Sequence, residues 1–307
     1  MNGIICLWKK RGLTSHDCVQ QLRRLLHTKK VGHAGTLDPT VAGILPICVG
    51  QATRLVEYLQ AAKKTYTGEI TLGFQTETED LEGEIVAKEA INEPYPDEKI
   101  QAAARHLEGE LIQIPPMYSA VKVNGKRLYE YARQGLPVTR PKRHVHIDEF
   151  LITSPSHYDA HKKQQSFSFQ VTCSKGTYIR TLAVQLGQEL GTLATMTQLT
   201  RIGAGSFSYE DASTLEEIEE QIAAGQTTFL RPMSYALTHF PIWKVPLELQ
   251  FGVKNGQVLP LEVLPAKLRC QLPVQACFKG KVFGIYKKHP EKPHQIKPEK
   301  MFPGGAE

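Results

Sequence analysis

Lys30-Val31-Gly32-His33-Ala34-Gly35-Thr36-Leu37-Asp38-Pro39-Thr40 is the densest concentration of functional residue types in the 307-residue chain. Its two glycines permit a tight turn and a close approach of the backbone to a ligand. Pro39 restricts the chain directly after the single carboxylate of the stretch, Asp38. Spacing alone leaves two interpretations open: Asp38 caps a turn or a helix, or it is a reactive group held on a rigid loop.

The segments on either side of this loop predict alternating strands and helices. Ile4 to Trp8 is a short apolar run typical of a strand, and Thr14 with Asp17 forms a capping-box pattern before a helix. Apolar periodicity predicts the remaining regular elements, with Gly191 ending the last helix. They are helices at Thr53–Ala62, Asp97–Leu107 and Thr177–Leu190, and strands at Tyr66–Leu72 and Phe167–Cys173.

Two regions depart from this alternation and suggest the domain organisation. Residues from about 115 to 145 are polar and basic, which predicts an exposed flap inserted in a main domain over residues 1–230. From Arg231 onward, short β-type runs alternate with Pro and Gly turns, so we expect a small β-rich domain over residues 235–295. Residues 296–307 are expected to form a tail, disordered from Lys297 onward.

The charge distribution indicates a polyanionic partner. The net charge is +6, but residues 1–66 carry ten Lys/Arg against three Asp/Glu, and residues 111–146 carry seven against one. Residues 67–110, between them, carry three against twelve. Two basic blocks flanking an acidic one favour a nucleic-acid-binding face. The alternative is a solvated surface with uneven charge.

Composition argues against several classes of protein. No stretch approaches the ~20 apolar residues of a membrane span, and the first ten residues lack the order of a signal peptide. The six cysteines form no CxxC pair and no zinc-binding spacing with histidine, so they are interpreted as buried small residues in a reducing compartment. We therefore expect a soluble cytoplasmic protein without a structural metal.

Five stretches together resemble one known family. The loop Gly32–Pro39 resembles the catalytic motif of the TruB-type tRNA pseudouridine synthases, whose relatives include the RNA-guided enzyme dyskerin. Four further stretches resemble other motifs of that family in its order: Lys64-Thr65-Tyr66, Thr76-Glu77-Thr78-Glu79-Asp80-Leu81-Glu82-Gly83, Pro115-Pro116-Met117-Tyr118-Ser119-Ala120-Val121-Lys122 and Gly176-Thr177-Tyr178-Ile179-Arg180-Thr181-Leu182. One departure is Lys10, which stands where the family's opening motif has proline, and its effect should be a looser turn with unchanged chemistry.

The resemblance implies roles for three catalytic residues. Asp38 is the nucleophile, with attack at C1′ and attack on the base both left open, and Arg180 is its ion-pair partner at the edge of the pocket. Tyr66 stacks on the flipped base. Taken alone, Arg180 would equally suit a phosphate contact or a surface ion pair, and Tyr66 would suit a half-buried strand tyrosine.

The resemblance also implies residues that bind the substrate. His33 fills the space left by the flipped base, although a lone histidine in a glycine loop is more often a structural hydrogen-bonding group. Asp80 contacts the RNA or braces the pocket, while Tyr178 and Leu199 line the pocket or belong to the core. Four basic residues are expected to bind the substrate: Lys64, beside Tyr66, and Lys122, Arg127 and Arg143 of the flap, which should contact RNA phosphates.

The fold implied by the resemblance is α+β: a catalytic domain on a mixed, largely antiparallel sheet, followed by a small β-rich PUA-like RNA-binding domain. The implied reaction converts the uridine at position 55 in the TΨC arm of tRNA to pseudouridine by base flipping. It needs no cofactor, metal, membrane or guide RNA, and the enzyme is expected to act as a monomer. Two other classes stay open, a non-catalytic RNA chaperone and a glycoside hydrolase, which would require a second carboxylate.

Overall fold

The computed structural model describes residues 1–306, and these residues form two compact units built from discontinuous segments. Unit 1 contains Met1–Pro39, Ile44–Gln60 and the chain from Gly205 onward. Unit 2 contains Thr40–Gly43 and Ala61–Ala204. The predicted division near residue 230 follows the order of the chain, whereas these units group the N-terminal segments with the C-terminal third.

Eight α-helices and twenty strands are present in residues 1–306. The helices are α1 (Ser15–Leu25), α2 (Val56–Ala61), α3 (Asp97–His106), α4 (Leu128–Arg133), α5 (Ile179–Leu190), α6 (Leu215–Ala223), α7 (Gln250–Lys254) and α8 (Ala266–Arg269). The strands are β1 (Gly3–Lys9), β2 (Val31–His33), β3 (Ala42–Val49), β4 (Lys64–Leu72), β5 (Phe74–Thr76), β6 (Ile85–Lys88), β7 (Gly109–Gln113), β8 (Lys122–Val123), β9 (Lys126–Arg127), β10 (Arg143–Ile152), β11 (His157–Asp159), β12 (Gln164–Cys173), β13 (Ala194–Ala204), β14 (Phe207–Ser208), β15 (Leu230–Arg231), β16 (Ile242–Lys244), β17 (Leu259–Pro260), β18 (Val274–Phe278), β19 (Lys281–Lys288) and β20 (Gln295–Ala306).

Unit 2 is built on a sheet whose strand order is β3-β13-β4-β12-β10-β7, with β3 contributing its first two residues. The pairs are antiparallel except for the parallel β3–β13 pair. Along β12 every second residue is buried, as a half-buried strand requires. Helices α3 and α5 pack on strands β10 and β13. The predicted α+β class with a mixed, largely antiparallel sheet is confirmed.

Unit 1 contains a smaller strand group in the order β15-β1-β3, with β2 antiparallel to β3. Strand β1 is buried from Gly3 to Leu7, which agrees with the apolar run in its sequence. The predicted capping box begins α1: Thr14 accepts a hydrogen bond from the backbone N–H of Asp17, whose carboxylate accepts one from Thr14. This reciprocal pairing satisfies two backbone donors that a helix start otherwise leaves free.

The C-terminal part of unit 1 holds a separate five-stranded sheet in the order β16-β18-β19-β20-β17. Its core includes Trp243 and Tyr286, both buried, whose rings meet edge to face at 5.9 Å. The expected β-rich region is therefore present, but the predicted disordered tail is wrong over Lys297–Ala306. Those residues lie in β20, which pairs with β19 and buries Ile296, Phe302 and Ala306. Residue Glu307 lies outside the described residues.

Within residues 1–306 we found no helix that combines the length and apolarity needed to cross a membrane.

Candidate active site

In unit 1, the loop that carries Asp38 is anchored on both sides of the carboxylate. The backbone N–H of Leu37 donates to the Ser15 hydroxyl at 2.9 Å, and that hydroxyl lies 3.2 Å from the Leu37 carbonyl. The Pro39 carbonyl accepts from the backbone N–H of Gly12 at 2.8 Å. Because the residues before and after Asp38 are both fixed, the direction of its half-buried side chain is restricted.

A buried lysine, Lys9, holds the turn formed by residues 9–15 against this loop. Lys9 has no exposed surface, and its ammonium donates to the carbonyls of Lys10, Leu13 and Pro39 at 3.2, 2.8 and 3.3 Å. Burial of an ammonium is costly unless its donors are satisfied in this way. The opening motif is therefore the scaffold of the Asp38 loop, and Lys10, at the family's proline position, instead forms a surface ion pair with Glu216.

His33 and Gly35 shape the first half of the loop. His33 ends β2, opposite Ile47, and is half-buried. The next backbone N–H, that of Ala34, donates to the Pro46 carbonyl at 2.8 Å. Gly35 has φ 120°, a conformation that side-chain-bearing residues rarely adopt. This backbone requirement explains one of the two glycines that the sequence singled out.

In unit 2, Arg180, the residue expected at a pocket edge, is buried. It is the second residue of α5 and is 7% exposed. Its guanidinium donates to the carbonyl oxygens of Thr78 and Tyr118, both at 3.1 Å, and lies 3.2 Å from the Asp80 carboxylate. Helical periodicity could not reveal these acceptors, because they come from two distant segments of the chain.

Asp80 lies in a tight turn, Thr76–Gly83, whose hydrogen bonds are largely between its own residues. The Asp80 carboxylate accepts hydrogen bonds from the Thr78 hydroxyl and from the backbone N–H of Glu82, the latter at 3.0 Å. A Cβ atom on Gly83 would lie within 3.0 Å of Thr78, so this position has no room for a side chain. Asp80 is only 6% exposed, and its carboxylate holds the Arg180 guanidinium in place.

Glu79, in the same turn, is a perturbed carboxyl that the sequence did not indicate. Its φ is 64°, an uncommon backbone conformation for a residue other than glycine. Burial raises the pKa of the Glu79 carboxyl, and a hydrogen bond from the Thr181 hydroxyl at 2.7 Å opposes the shift. Strain and a shifted pKa beside Arg180 are the combination that functional sites often show.

Three expected pocket residues lie on neighbouring elements of unit 2. Tyr66 is half-buried on β4, opposite Val171 on one side and Arg201 on the other. Tyr178 precedes α5, and its backbone N–H donates to the Gln113 side chain at 2.9 Å. Leu199 is buried on β13. Leu199 pairs with a glycine of β4, the residue two places after Tyr66.

Lys64 is buried, and its ammonium donates to the Ala62 carbonyl at 2.6 Å. Burial, together with the neighbouring Arg201 cation, lowers the pKa of Lys64 to about 8. A contact between this ammonium and RNA would require the side chain to leave its buried position. Lys64 is therefore not assigned to the RNA-binding face.

The buried lysine predicts a pH-dependent stability. Between pH 8 and 10.5 the unfolded chain holds a proton on Lys64 that the folded chain has lost, so raising the pH across this window favours folding. The free energy of unfolding of the wild type should rise by up to about 3 kcal/mol more than that of Lys64→Met. Urea unfolding at several pH values measures this difference. An equal pH dependence of the free energy of unfolding in the two proteins would contradict the prediction.

The basic flap, residues 115–145, is more regular than its composition suggested. Strands β8 and β9 form a hairpin whose turn residues, Asn124 and Gly125, have φ 50° and 84°. An Asn-Gly pair is a strong hairpin signal that the sequence analysis did not use. Lys122 and Arg127 are exposed on this hairpin, whereas Arg143 is half-buried where β10 begins.

An aromatic residue organises the basic side chains of the flap. The guanidinium groups of Arg127 and Arg133 lie 5.7 and 5.4 Å from the centre of the Tyr129 ring. Arg127 also donates to the Tyr129 hydroxyl at 3.0 Å. Such packing holds exposed arginines in place before a ligand arrives.

Comparison with known families assigns the chain to a class. The family described as "TruB family pseudouridylate synthase (N terminal domain)" matches residues 23–179, just over half of the chain. The description "tRNA pseudouridylate synthase B C-terminal domain" matches residues 180–238. The chain belongs to the TruB family of pseudouridylate synthases, and it is therefore an isomerase. The sheet over residues 242–306 lies beyond both matches, so its PUA-like class stays a prediction.

Individual relatives resemble the chain over nearly its whole length. It is 47% identical over 304 residues to tRNA pseudouridine synthase B of Bacillus velezensis, with 98% of each chain covered. It is 48% identical over 302 residues to tRNA pseudouridine synthase B of Listeria monocytogenes, again with 98% of each covered. A chain in the crystal structure of a Cbf5-Nop10-Gar1 complex matches with a TM-score of 0.74 and 26% identity, covering 98% of this chain and 84% of that one.

Proposed function

We propose that this enzyme converts the uridine at position 55 in the TΨC arm of tRNA to pseudouridine, as a monomer in the cytoplasm and without a guide RNA. Relatives with nearly half of their residues in common are tRNA pseudouridine synthases, which supports tRNA as the substrate. The observation that carries the chemistry is the loop around Asp38, a carboxylate fixed by hydrogen bonds to the residues on either side of it.

The reaction breaks the C1′–N1 bond of the uridine and forms a C1′–C5 bond. Asp38 attacks the target nucleotide, at C1′ or on the base, the C1′–N1 bond breaks and the detached uracil rotates. C5 then bonds to C1′, and the bond between Asp38 and the nucleotide breaks, which regenerates the carboxylate. The proton on C5 is then lost and N1 gains a proton, so the product is an isomer of the substrate. No electrons are exchanged with a cofactor. A base inside a folded RNA must be flipped out before this carboxylate can reach it.

The other residues predicted for the site have supporting roles in this chemistry. Tyr66 stacks on the flipped base, and His33 fills the space that the base has left. Arg180 is the ion-pair partner of Asp38, with its guanidinium held by Asp80. Tyr178 and Leu199 line the base pocket. We assign Asp80 the bracing role rather than an RNA contact, because it is buried and bonded within its own turn.

RNA phosphates are bound by the basic flap, with Lys122, Arg127 and Arg143 as the principal contacts. Stacking of Arg127 on Tyr129 supports a preformed binding surface. A second basic region is the C-terminal sheet, since residues 241–306 contain eleven Lys/Arg and four Asp/Glu. That excess supports a PUA-like RNA-binding role for the sheet.

Release of tritium from tRNA transcript labelled with [5-³H]uridine tests the proposed function, because the C5 proton leaves only when C5 becomes the glycosidic carbon. Purified enzyme and transcript alone should suffice, without a guide RNA. Replacing the uridine at position 55 with cytidine should abolish release. Release that persists after this replacement would contradict the assigned position, and no release from unmodified transcript would contradict the function.

Binding of tRNA should weaken steeply as salt is raised, because each phosphate neutralised by the flap releases counterions. Lys122→Gln and Arg127→Gln should each reduce the slope of log K against log salt concentration by about 0.7–0.9. Filter binding over a range of salt concentrations measures the slope. Lys162→Gln, an exposed lysine between β11 and β12, is the matched control and should leave it unchanged. A flat response of the wild type would remove the flap from the binding site.

A further inference from the structure

Tyr118, near the start of the basic flap, contacts two other parts of unit 2 at once. Its backbone carbonyl accepts a hydrogen bond from the Arg180 guanidinium at 3.1 Å. Its hydroxyl donates to the carboxylate of Glu77 at 2.8 Å. The residue is half-buried.

The two contacts of Tyr118 converge, because Glu77 belongs to the same turn that holds Arg180. That turn gives Arg180 the Thr78 carbonyl at 3.1 Å and the Asp80 carboxylate at 3.2 Å. The start of the turn is tied to the residue that follows it by a bond from the Glu77 backbone N–H to the Glu84 carbonyl. Tyr118, Arg180 and the turn therefore form a closed ring of hydrogen bonds in which each member fixes the other two.

The residue after Tyr118 connects this ring to the basic side chains of the flap. The Ser119 carbonyl accepts from the backbone N–H of Tyr129 at 3.2 Å, and the Val121 carbonyl accepts from that of Leu128 at 2.8 Å. Tyr129 is the ring on which Arg127 and Arg133 stack. These backbone bonds join the segment that carries the arginines to the backbone adjacent to Tyr118.

We infer that Tyr118 is a positioning residue, one that couples RNA bound on the basic flap to the orientation of the Arg180 guanidinium. This role rests on the proposed function, in which Arg180 orients the nucleophile. Tyr118 does not touch the reacting atoms. Its hydroxyl bond to Glu77 fixes the backbone, so that its carbonyl holds Arg180 in one position when RNA is bound. RNA binding and catalytic geometry are thereby linked through one residue.

Removing the hydroxyl bond should slow the reaction of bound RNA without weakening binding. Tyr118→Phe and Glu77→Ala should each lower the single-turnover rate at saturating enzyme by about three- to tenfold, the value of one hydrogen bond, with the Kd for tRNA unchanged. Glu77→Gln keeps an acceptor oxygen and should retain most of the rate. The double variant Tyr118→Phe/Glu77→Ala should be no slower than either single variant, because both remove the same bond.

Tyr158→Phe is the matched control, since the Tyr158 hydroxyl donates to the Ile91 carbonyl at 2.7 Å, outside both the flap and the turn. It should leave the single-turnover rate unchanged. A wild-type rate in Tyr118→Phe, or an equal loss in Tyr158→Phe, would overturn the coupling while leaving the proposed function intact. A wild type that binds tRNA and forms no pseudouridine would overturn both.

Discussion

Asp38→Asn is expected to abolish tritium release from [5-³H]uridine-labelled tRNA while leaving tRNA binding intact. The amide has the shape of the carboxylate but cannot act as the nucleophile, and removal of a nucleophile lowers enzyme rates by roughly 10⁴–10⁶-fold. Two anchors of the loop, the bonds between Ser15 and Leu37 and between Gly12 and Pro39, involve neighbouring residues and are kept in the variant. The loop should therefore keep its conformation in the variant.

Asp159→Asn is a suitable control, because this half-buried carboxylate at the end of β11 accepts bonds from the residues of its own turn, and activity should be unaffected. Tight binding without release from either the wild type or the Asp38 variant would favour the non-catalytic RNA chaperone. Equal release from both proteins would show that Asp38 is not the nucleophile. The glycoside hydrolase alternative predicts free uracil as a product, which chromatography of the same reaction would detect.

Elements with strong local signals were predictable from the sequence. The capping box of Thr14 and Asp17 begins α1 as expected, and Gly191, with φ 78°, ends α5 as expected. In both cases the interactions that determine the helix end lie within a few residues of it, so neighbouring residues in the sequence are enough to predict it. The family motifs also indicated the α+β class, although no alternation or periodicity would have given the strand order of the sheet.

Features that depend on distant residues were not predictable. The burial of Arg180 follows from acceptors that lie about 60 and 100 residues earlier in the chain. Lys9 is a charged residue whose acceptors include a carbonyl 30 residues away, and nothing in its neighbourhood marks it as buried. Strand β20 could not be predicted from its terminal position, because it is ordered by its pairing with β19, a strand that local sequence does not connect to it.

Arg180→Met is expected to lower both stability and activity, for separable reasons. The variant leaves the Asp80 carboxylate, only 6% exposed, without its cation, and breaking a buried pair in this way costs about 3–5 kcal/mol of folding free energy. If Arg180 also orients Asp38, the rate for bound tRNA should fall by about 10²-fold or more. Urea unfolding measures the first effect and single-turnover tritium release the second.

The double variant Arg180→Met/Asp80→Leu distinguishes these two effects. Replacing both members removes the unpaired buried carboxylate, so part of the lost folding free energy should return. Recovery should be incomplete, because the Thr78 and Tyr118 carbonyls lose the donor that Arg180 provides. Activity should not return, because an apolar side chain cannot hold the nucleophile. Recovery of both quantities would mean that Arg180 serves only to keep Asp80 and its turn folded. Stability restored without activity would instead establish that its guanidinium takes part in the reaction, with Asp80 present to keep it in place.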